Sequence, residues 1–342
     1  MTLRRRALLA AAAPALLPLA APRAQQPRPA AAGAWVPDRP ILLITGYAPG
    51  GSTDVAARLI ADRMAAALGP EARIVVENRP GAAGAIATEW LKNRPADGYT
   101  IMVQETGAGA AAPTATIGGT RYDPIADFTH LGVISDPPGP FVANNDFAPA
   151  SLTPQQVLQK LREAPPESIT YASSGFGGVL HFRAEMLAQA LGAKFVHVPY
   201  RSGAQMVTAI MTGEAQFGIA ALASAVPFMR DGKVRALAMV GDSRFPGFPD
   251  IPTMAEIGLP GFDNAGWFML WGPGGMPRPV AEALNRALVS ALHDPTVRER
   301  MLLAGHAPVQ RENSLETTRA YMVQELGVMR QMVERTGIRL QP

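Results

Sequence analysis

From residue 41 onward the chain alternates between two hydrophobic periods. Ile41-Leu42-Leu43-Ile44 is an unbroken apolar run, the pattern of a strand covered on both faces. Val55-Ala56-Ala57-Arg58-Leu59-Ile60-Ala61-Asp62-Arg63-Met64 instead spaces its apolar residues at helical intervals. Continued along the chain, the pattern predicts strands over 41–45, 74–77 and 99–104, with helices over 54–68 and 83–92. Residues 107–120 are small and glycine-rich and read as a loop with about one helical turn. Strands follow over 131–135, 141–144, 169–172, 195–198, 216–220, 234–240 and 266–271. Helices are predicted over 153–163, 179–191, 203–212, 223–230 and 252–257, then 278–292, 295–304 and 315–336. Asp294 before Pro295 is a start signal, and Asn313 with Glu316 has the form of a capping box.

Repetition of strand and helix favours an α/β fold with parallel strands and helices on both faces. The plan occurs twice. The strand over 169–172 runs into Ser173-Ser174-Gly175-Phe176-Gly177-Gly178 and then into a helix, as the strand over 41–45 runs into Ala48-Pro49-Gly50-Gly51-Ser52-Thr53-Asp54. The order of elements inserts a second lobe into the first. Lobe one is expected over 33–140 plus 263–342, and lobe two over 141–262. Two crossings, near 140 and near 265, make a hinge, and the cleft between such lobes is a preferred ligand site.

Both strand-to-helix turns are candidate anion sites. Glycine lets the backbone turn sharply and approach a ligand, and the free N–H groups of a helix start suit a carboxylate or phosphate. Ser52 or Thr53 is placed to cap the first helix, with Asp54 in its first turn. Asp54 is a poor direct partner for a carboxylate, because like charges repel, and is expected to fix the loop or hold a water.

Charge changes this picture little once its distribution is seen. The chain has 31 basic and 28 acidic residues, but Arg4, Arg5, Arg6, Arg23 and Arg28 precede residue 33 and no acid does. The remainder is close to neutral, so nucleic acid is not an expected partner. The basic start, the apolar stretch over 7–21 broken by Pro14 and Pro18, and the small residues after it describe an export signal over 1–32. Cleavage is expected after Ala24 or Ala32, and Arg5-Arg6 ahead of Leu8-Leu9 admits the twin-arginine route. That stretch is shorter than the roughly 20 apolar residues a membrane span needs. There is no cysteine, which excludes disulfides, thiolate catalysis, cysteine metal sites and a lipid-bearing cysteine anchor. The expectation is a periplasmic protein without a membrane anchor.

In order and spacing, the motifs resemble those of the extracytoplasmic solute receptors of tripartite tricarboxylate transporters, the Bug-type proteins. The match covers nearly all of 38–342. It includes Pro49-Gly50-Gly51-Ser52-Thr53-Asp54, Glu77-Asn78-Arg79-Pro80-Gly81-Ala82-Ala83-Gly84, Asp97-Gly98-Tyr99-Thr100, Tyr122-Asp123-Pro124 and Asp127-Phe128. It continues through His197-Val198-Pro199-Tyr200, Gly203-Ala204-Gln205, Pro249-Asp250-Ile251-Pro252-Thr253, Glu256 and Trp267. The resemblance implies a two-lobed periplasmic-binding-protein-like (Venus-flytrap) receptor that closes on a small organic carboxylate and delivers it to membrane transporter subunits. It implies ligand contacts from Tyr47, Ser52, Thr53 and Asp54 in lobe one and from Ser173, Ser174, Gly175 and Gly177 in lobe two. Gly50, Gly51, Gln104, Thr106, His181 and Tyr200 complete the candidate set. Two loops depart from the family pattern. Ala220-Ala221-Leu222 replaces a polar or acidic residue, and Gln104-Glu105-Thr106-Gly107 replaces a Gly-Thr-His-like run. These departures point away from a simple dicarboxylate.

Enzyme signatures are missing. There is no Gly-x-Ser-x-Gly and no phosphate-binding Gly-x-x-x-x-Gly-Lys-Ser/Thr, and the five histidines lack metal-ligand spacing. No catalysis, cofactor or metal is expected, and the chain is expected to act as a monomer. A periplasmic sensor that reports its bound state to a signalling protein is the alternative. Arg79 reads as structural, His197 as a satisfied strand-end histidine, and Trp267 and Trp271 as hinge or core packing.

Overall fold

A computed structural model describes residues 35–262, 266–309 and 311–339. The export-signal expectation falls on residues outside this range. The elements in chain order begin with β1 (Ile41–Thr45), α1 (Ser52–Leu68), β2 (Ile74–Asn78), α2 (Ala85–Lys92), β3 (Thr100–Glu105), α3 (Ala112–Ala115) and β4 (Phe128–Ser135). They continue with β5 (Gly139–Ala143), α4 (Pro154–Glu163), β6 (Thr170–Ser173), α5 (Val179–Leu191), β7 (Val196–Pro199), α6 (Gly203–Thr212), β8 (Phe217–Ile219), α7 (Leu222–Arg230) and β9 (Arg235–Val240). The last are β10 (Phe268–Pro273), α8 (Arg278–His293), α9 (Pro295–Leu303) and α10 (Leu315–Thr336).

Ten strands form two five-stranded sheets, ordered β2-β1-β3-β10-β4 and β7-β6-β8-β5-β9. In the first, β1 lies parallel between β2 and β3, and β10 runs antiparallel between β3 and β4. The second repeats the arrangement. There β6 is parallel to β7 and β8, and β5 is antiparallel to β8 and β9. Each sheet is therefore mixed, and the entirely parallel sheet suggested by the sequence is corrected at one strand position per sheet. The strand order reverses at β1 and at β6. A crevice opens at such a switch point, beyond the carboxyl ends of the strands, and the glycine turns of both lobes lie there.

The apolar run in β1 is buried as its pattern required, with Ile41, Leu43 and Ile44 fully covered. α1 turns Ala56, Ala57, Ile60, Ala61 and Met64 inward, and α8 packs on it. The chain passes to the second sheet through Asp136-Pro137-Pro138 and returns at Gly266-Trp267. Two prolines hold the first crossing extended. Trp267 and Trp271 are both fully buried, their rings 6.2 Å apart, with Trp271 edge-on to His130.

α10 buries Thr318, Met322, Glu325, Leu326, Met329 and Val333 at helical spacing. It packs along β4 and α3, and near its end the Thr336 carbonyl accepts from Gln189 of α5 at 2.6 Å. It thus touches both lobes. Its capping box is formed by Ser314 with Thr317, one residue later than the sequence suggested. Asn313 is instead used as a strand surrogate, exchanging two 2.8 Å bonds with the Val133 backbone.

Candidate functional site

The two glycine turns, two helix starts and both crossings enclose a cavity of ≈ 50 Å³. Tyr47, Gly51, Ser52, Thr53, Glu105 and Thr106 line it from lobe one, and Ser174, Leu180, Arg183, Gly203, Ala221 and Ser224 from lobe two. Pro137, Pro138, Gly139, Gly266 and Trp267 close it along the hinge. The lobes already touch here. Ser52 and Ser224 share a 2.9 Å hydroxyl–hydroxyl bond, and the Ala48 amide donates to the Arg201 carbonyl at 3.4 Å.

α1 begins at Ser52 with Gly51 as its N-cap, and no side chain caps it. Neither Ser52 nor Thr53 therefore serves as the cap suggested by the sequence. The first-turn N–H groups of a helix lack intrahelical partners, so this end faces the cavity with its donors unspent by a cap. The turn before it is held by Asp54. Its carboxylate accepts from the Gly50 amide at 2.9 Å, from Asn78 at 3.0 Å and from Arg58 at 2.9 Å. Burial pushes this carboxyl up, but those three partners outweigh it and hold it below the usual aspartate range. Asp54 fixes the loop and does not line the cavity. Gly50, with φ 79°, carries the left-handed conformation, whereas Gly51 has an ordinary φ of −72°. Asp54→Ala is expected to cost about 2–3 kcal/mol of stability, since a charged acceptor of several bonds is lost. Urea denaturation measures it.

The other sequence candidates divide in the same way. Ser174 lines the cavity and interacts with the Tyr47 hydroxyl. Thr106 lines it and pins the return crossing, its hydroxyl accepting from the Trp267 amide at 2.8 Å. Gln104 points away, donating to Thr88 at 2.7 Å. Ser173 is bonded to His197 at 2.6 Å, and His197 stacks on His181 with ring centroids 3.9 Å apart. His181 in turn accepts from the Gly177 amide at 3.3 Å. Burial lowers His181 to about 4, and burial with the neighbouring His181 lowers His197 to about 3, so both are neutral near pH 7. Ser173, Gly177, His181 and His197 brace the second glycine turn from behind. Gly175 and Gly178 allow close approach of the lobes: a Cβ on Gly178 would sit 3.0 Å from that of Ala83. Tyr200 faces Glu214, away from the cavity. Arg79 pairs with Glu77 at 2.6 Å and lies over the Trp90 ring.

The lining residues that the sequence did not single out as site candidates include Glu105, Arg183, Ser224 and Trp267. Arg183 stands in α5, whose residues 179–184 are all buried, and a lone arginine inside so apolar a stretch was the available signal. Burial lowers it only to about 10, opposed by Glu105 and Glu325, so it stays charged at neutral pH. Glu105 ends β3. Its carboxylate accepts from Tyr47 at 2.8 Å, from the Gly107 amide at 2.6 Å and from the Ala108 amide at 3.0 Å. Burial raises its pKa, and those donors with Arg183 oppose the rise. Thr53 Oγ1 and Trp267 Nε1 are buried and have no protein hydrogen-bond partner. Buried polar atoms are rarely left unmade, and two on one cavity wall mark places for a ligand or water. Among the described residues no cluster of His, Asp or Glu could hold a metal ion, and no helix is long and apolar enough to cross a membrane.

Comparison with known proteins decides the family. The model for the tripartite tricarboxylate transporter family receptors matches residues 56–337. The chain belongs to this receptor family. It is 31% identical over 304 residues to protein BugT of Bordetella pertussis, covering 89% of this chain and 91% of BugT. The solved periplasmic binding protein BugD is 29% identical, with a TM-score of 0.83, covering 90% of this chain and 100% of BugD. MatC from Rhodopseudomonas palustris, solved with bound malate, is 29% identical, with a TM-score of 0.82, covering 87% of this chain and 99% of MatC. The two-lobed α/β architecture is shared with these periplasmic proteins, and the receptor family is one of solute binding rather than catalysis.

Proposed function

We propose that this receptor captures a small carboxylate-bearing organic molecule in the periplasm and presents it to a tripartite tricarboxylate-type transporter. The observation that carries the reading is the interlobe cavity. It joins the uncapped start of α1, the Ser52 and Ser224 hydroxyls, the unpartnered Thr53 Oγ1 and Trp267 Nε1, and the buried cation Arg183. Every one of these features favours negative charge or can donate to a carboxylate oxygen. Malate in MatC supports the same class of ligand. The lobes and hinge residues supply positioning, with no nucleophile, base or metal required.

A thermal-shift screen over a panel of carboxylic acids tests this. An acid at 100 times its dissociation constant adds about 2.7 kcal/mol to stability. Stabilisation by none of them would count against the reading. Closure makes a second expectation. The Ser52–Ser224 bond spans the lobes and has to break for a ligand to enter. The free receptor is expected to sample lobes parted at this contact and the bound one to hold them together, so small-angle scattering is expected to report a smaller radius of gyration with saturating acid than without it. An unchanged radius would point to a rigid pocket.

A further inference from the structure

Among the described residues, the charged side chains that line the cavity are Glu105 and Arg183. Arg183 also faces a second buried acid, Glu325, so two buried acids share this one buried cation. A dicarboxylate enclosed here would bring two negative charges beside Glu105, with no second buried cation among the described residues of the cavity wall to meet them. A single carboxylate fits the donors at the start of α1 and on Thr53 and Trp267. Glu105 demands something different. Both Glu105 oxygens accept from backbone amides, Ala108 at Oε1 and Gly107 at Oε2, with the Arg183 cation nearby, so the group presents acceptor positions. Tyr47 and Ala108 occupy Oε1, and Gly107 alone occupies Oε2. The residue is fixed by these three bonds and still borders the cavity with acceptor capacity to spare. A ligand group that faces it has to donate.

We propose that Glu105 selects a ligand carrying one carboxylate and, at its other end, an N–H-bearing group, either ammonium or amide. This rests on the carboxylate-receptor reading above and narrows it. Tyr47 acts as the positioning residue, since its hydroxyl ties Glu105 to the Ala83 carbonyl at 2.9 Å and so to the lobe-one turn.

Calorimetry with the full mature chain tests the choice in matched series of three to six carbons: diacids, their monoamides, ω-amino acids and α-amino acids. Expected is at least tenfold tighter binding of an amide- or ammonium-bearing monocarboxylate than of the diacid of equal length. Glu105→Gln is expected to shrink that preference at least fivefold. If that variant does not fold, the preference of the wild-type protein across the series decides alone. Diacids binding as tightly as their nitrogen-bearing partners would overturn the inference and leave the carboxylate reading standing. Binding of no acid in any series would overturn both. A preference for amides over ammonium groups, or the reverse, supports the inference and identifies the donor.

Discussion

Replacing Arg183 with methionine is expected to cost about 3–5 kcal/mol of folding stability, the range for breaking a buried ionic arrangement from one side. The cause is specific. Arg183 sits between two buried acids, Glu105 and Glu325, and its removal leaves them in low dielectric with the neighbouring cation gone. Carboxylates in that position recover by taking up protons. The difference between wild type and variant is therefore expected to be larger at pH 7 than at pH 5, measured by urea denaturation at both. Carboxylate binding is expected to weaken at least a hundredfold in the variant, while Arg183→Lys keeps the charge and loses less. An equal penalty at the two pH values would mean that packing of the long side chain, and not its charge, is what matters.

The second large effect is acid destabilisation well above the usual carboxylate range. His130 donates from one ring nitrogen to the Pro124 carbonyl at 2.9 Å and is edge-on to Trp271, and burial lowers it to about 4. His306 is bonded to Ser135 at 3.1 Å, edge-on to Phe268, and burial lowers it also to about 4. Unfolded, both titrate near 6.5. Between about 6.5 and 4 the unfolded chain binds more protons than the folded one, so stability falls as pH falls across that window. Each histidine contributes up to about 1.4 kcal/mol per pH unit there. Two suffice to remove much of a typical 5–15 kcal/mol total by pH 4. His181 and His197, lowered to about 4 and about 3, act in the same window, so His130→Gln with His306→Gln is expected to make the melting-temperature profile between pH 7 and pH 4.5 shallower without flattening it. An equally steep profile in the double variant would assign the loss to other groups.

Much of this fold was legible because periodicity and turn chemistry agreed. α5, α6 and α10 fall on the residues their patterns predict, since apolar spacing and terminal glycine or serine residues marked both ends. The antiparallel strands β5 and β10 read as plain apolar runs, and nothing local sets their direction. That is decided by the two crossings. The first glycine turn was legible as a candidate site, and Gly51, Ser52 and Thr53 of it stand on the cavity wall. Asp54 was correctly expected to fix that loop. Gln104 and Ser173 sit next to lining residues in sequence, but a strand turns neighbouring side chains to opposite faces. That alternation put Glu105 and Ser174 on the cavity and turned Gln104 and Ser173 behind it. Ser224 and Arg183 were hidden for another reason. Each lies within a helix whose neighbours are buried, so only the approach of the other lobe shows that they border a cavity.

On the proposed reading, the interlobe cavity clamps a ligand through its carboxylate. The direct measurement is calorimetric titration of the receptor with the tightest-binding acid of the panel and with its methyl ester, which keeps the shape and removes the charge. Charged hydrogen bonds contribute about 1.5–3 kcal/mol each, so losing the charge at several donors predicts at least hundredfold weaker binding of the ester. An ester that binds as tightly as the acid would contradict the account.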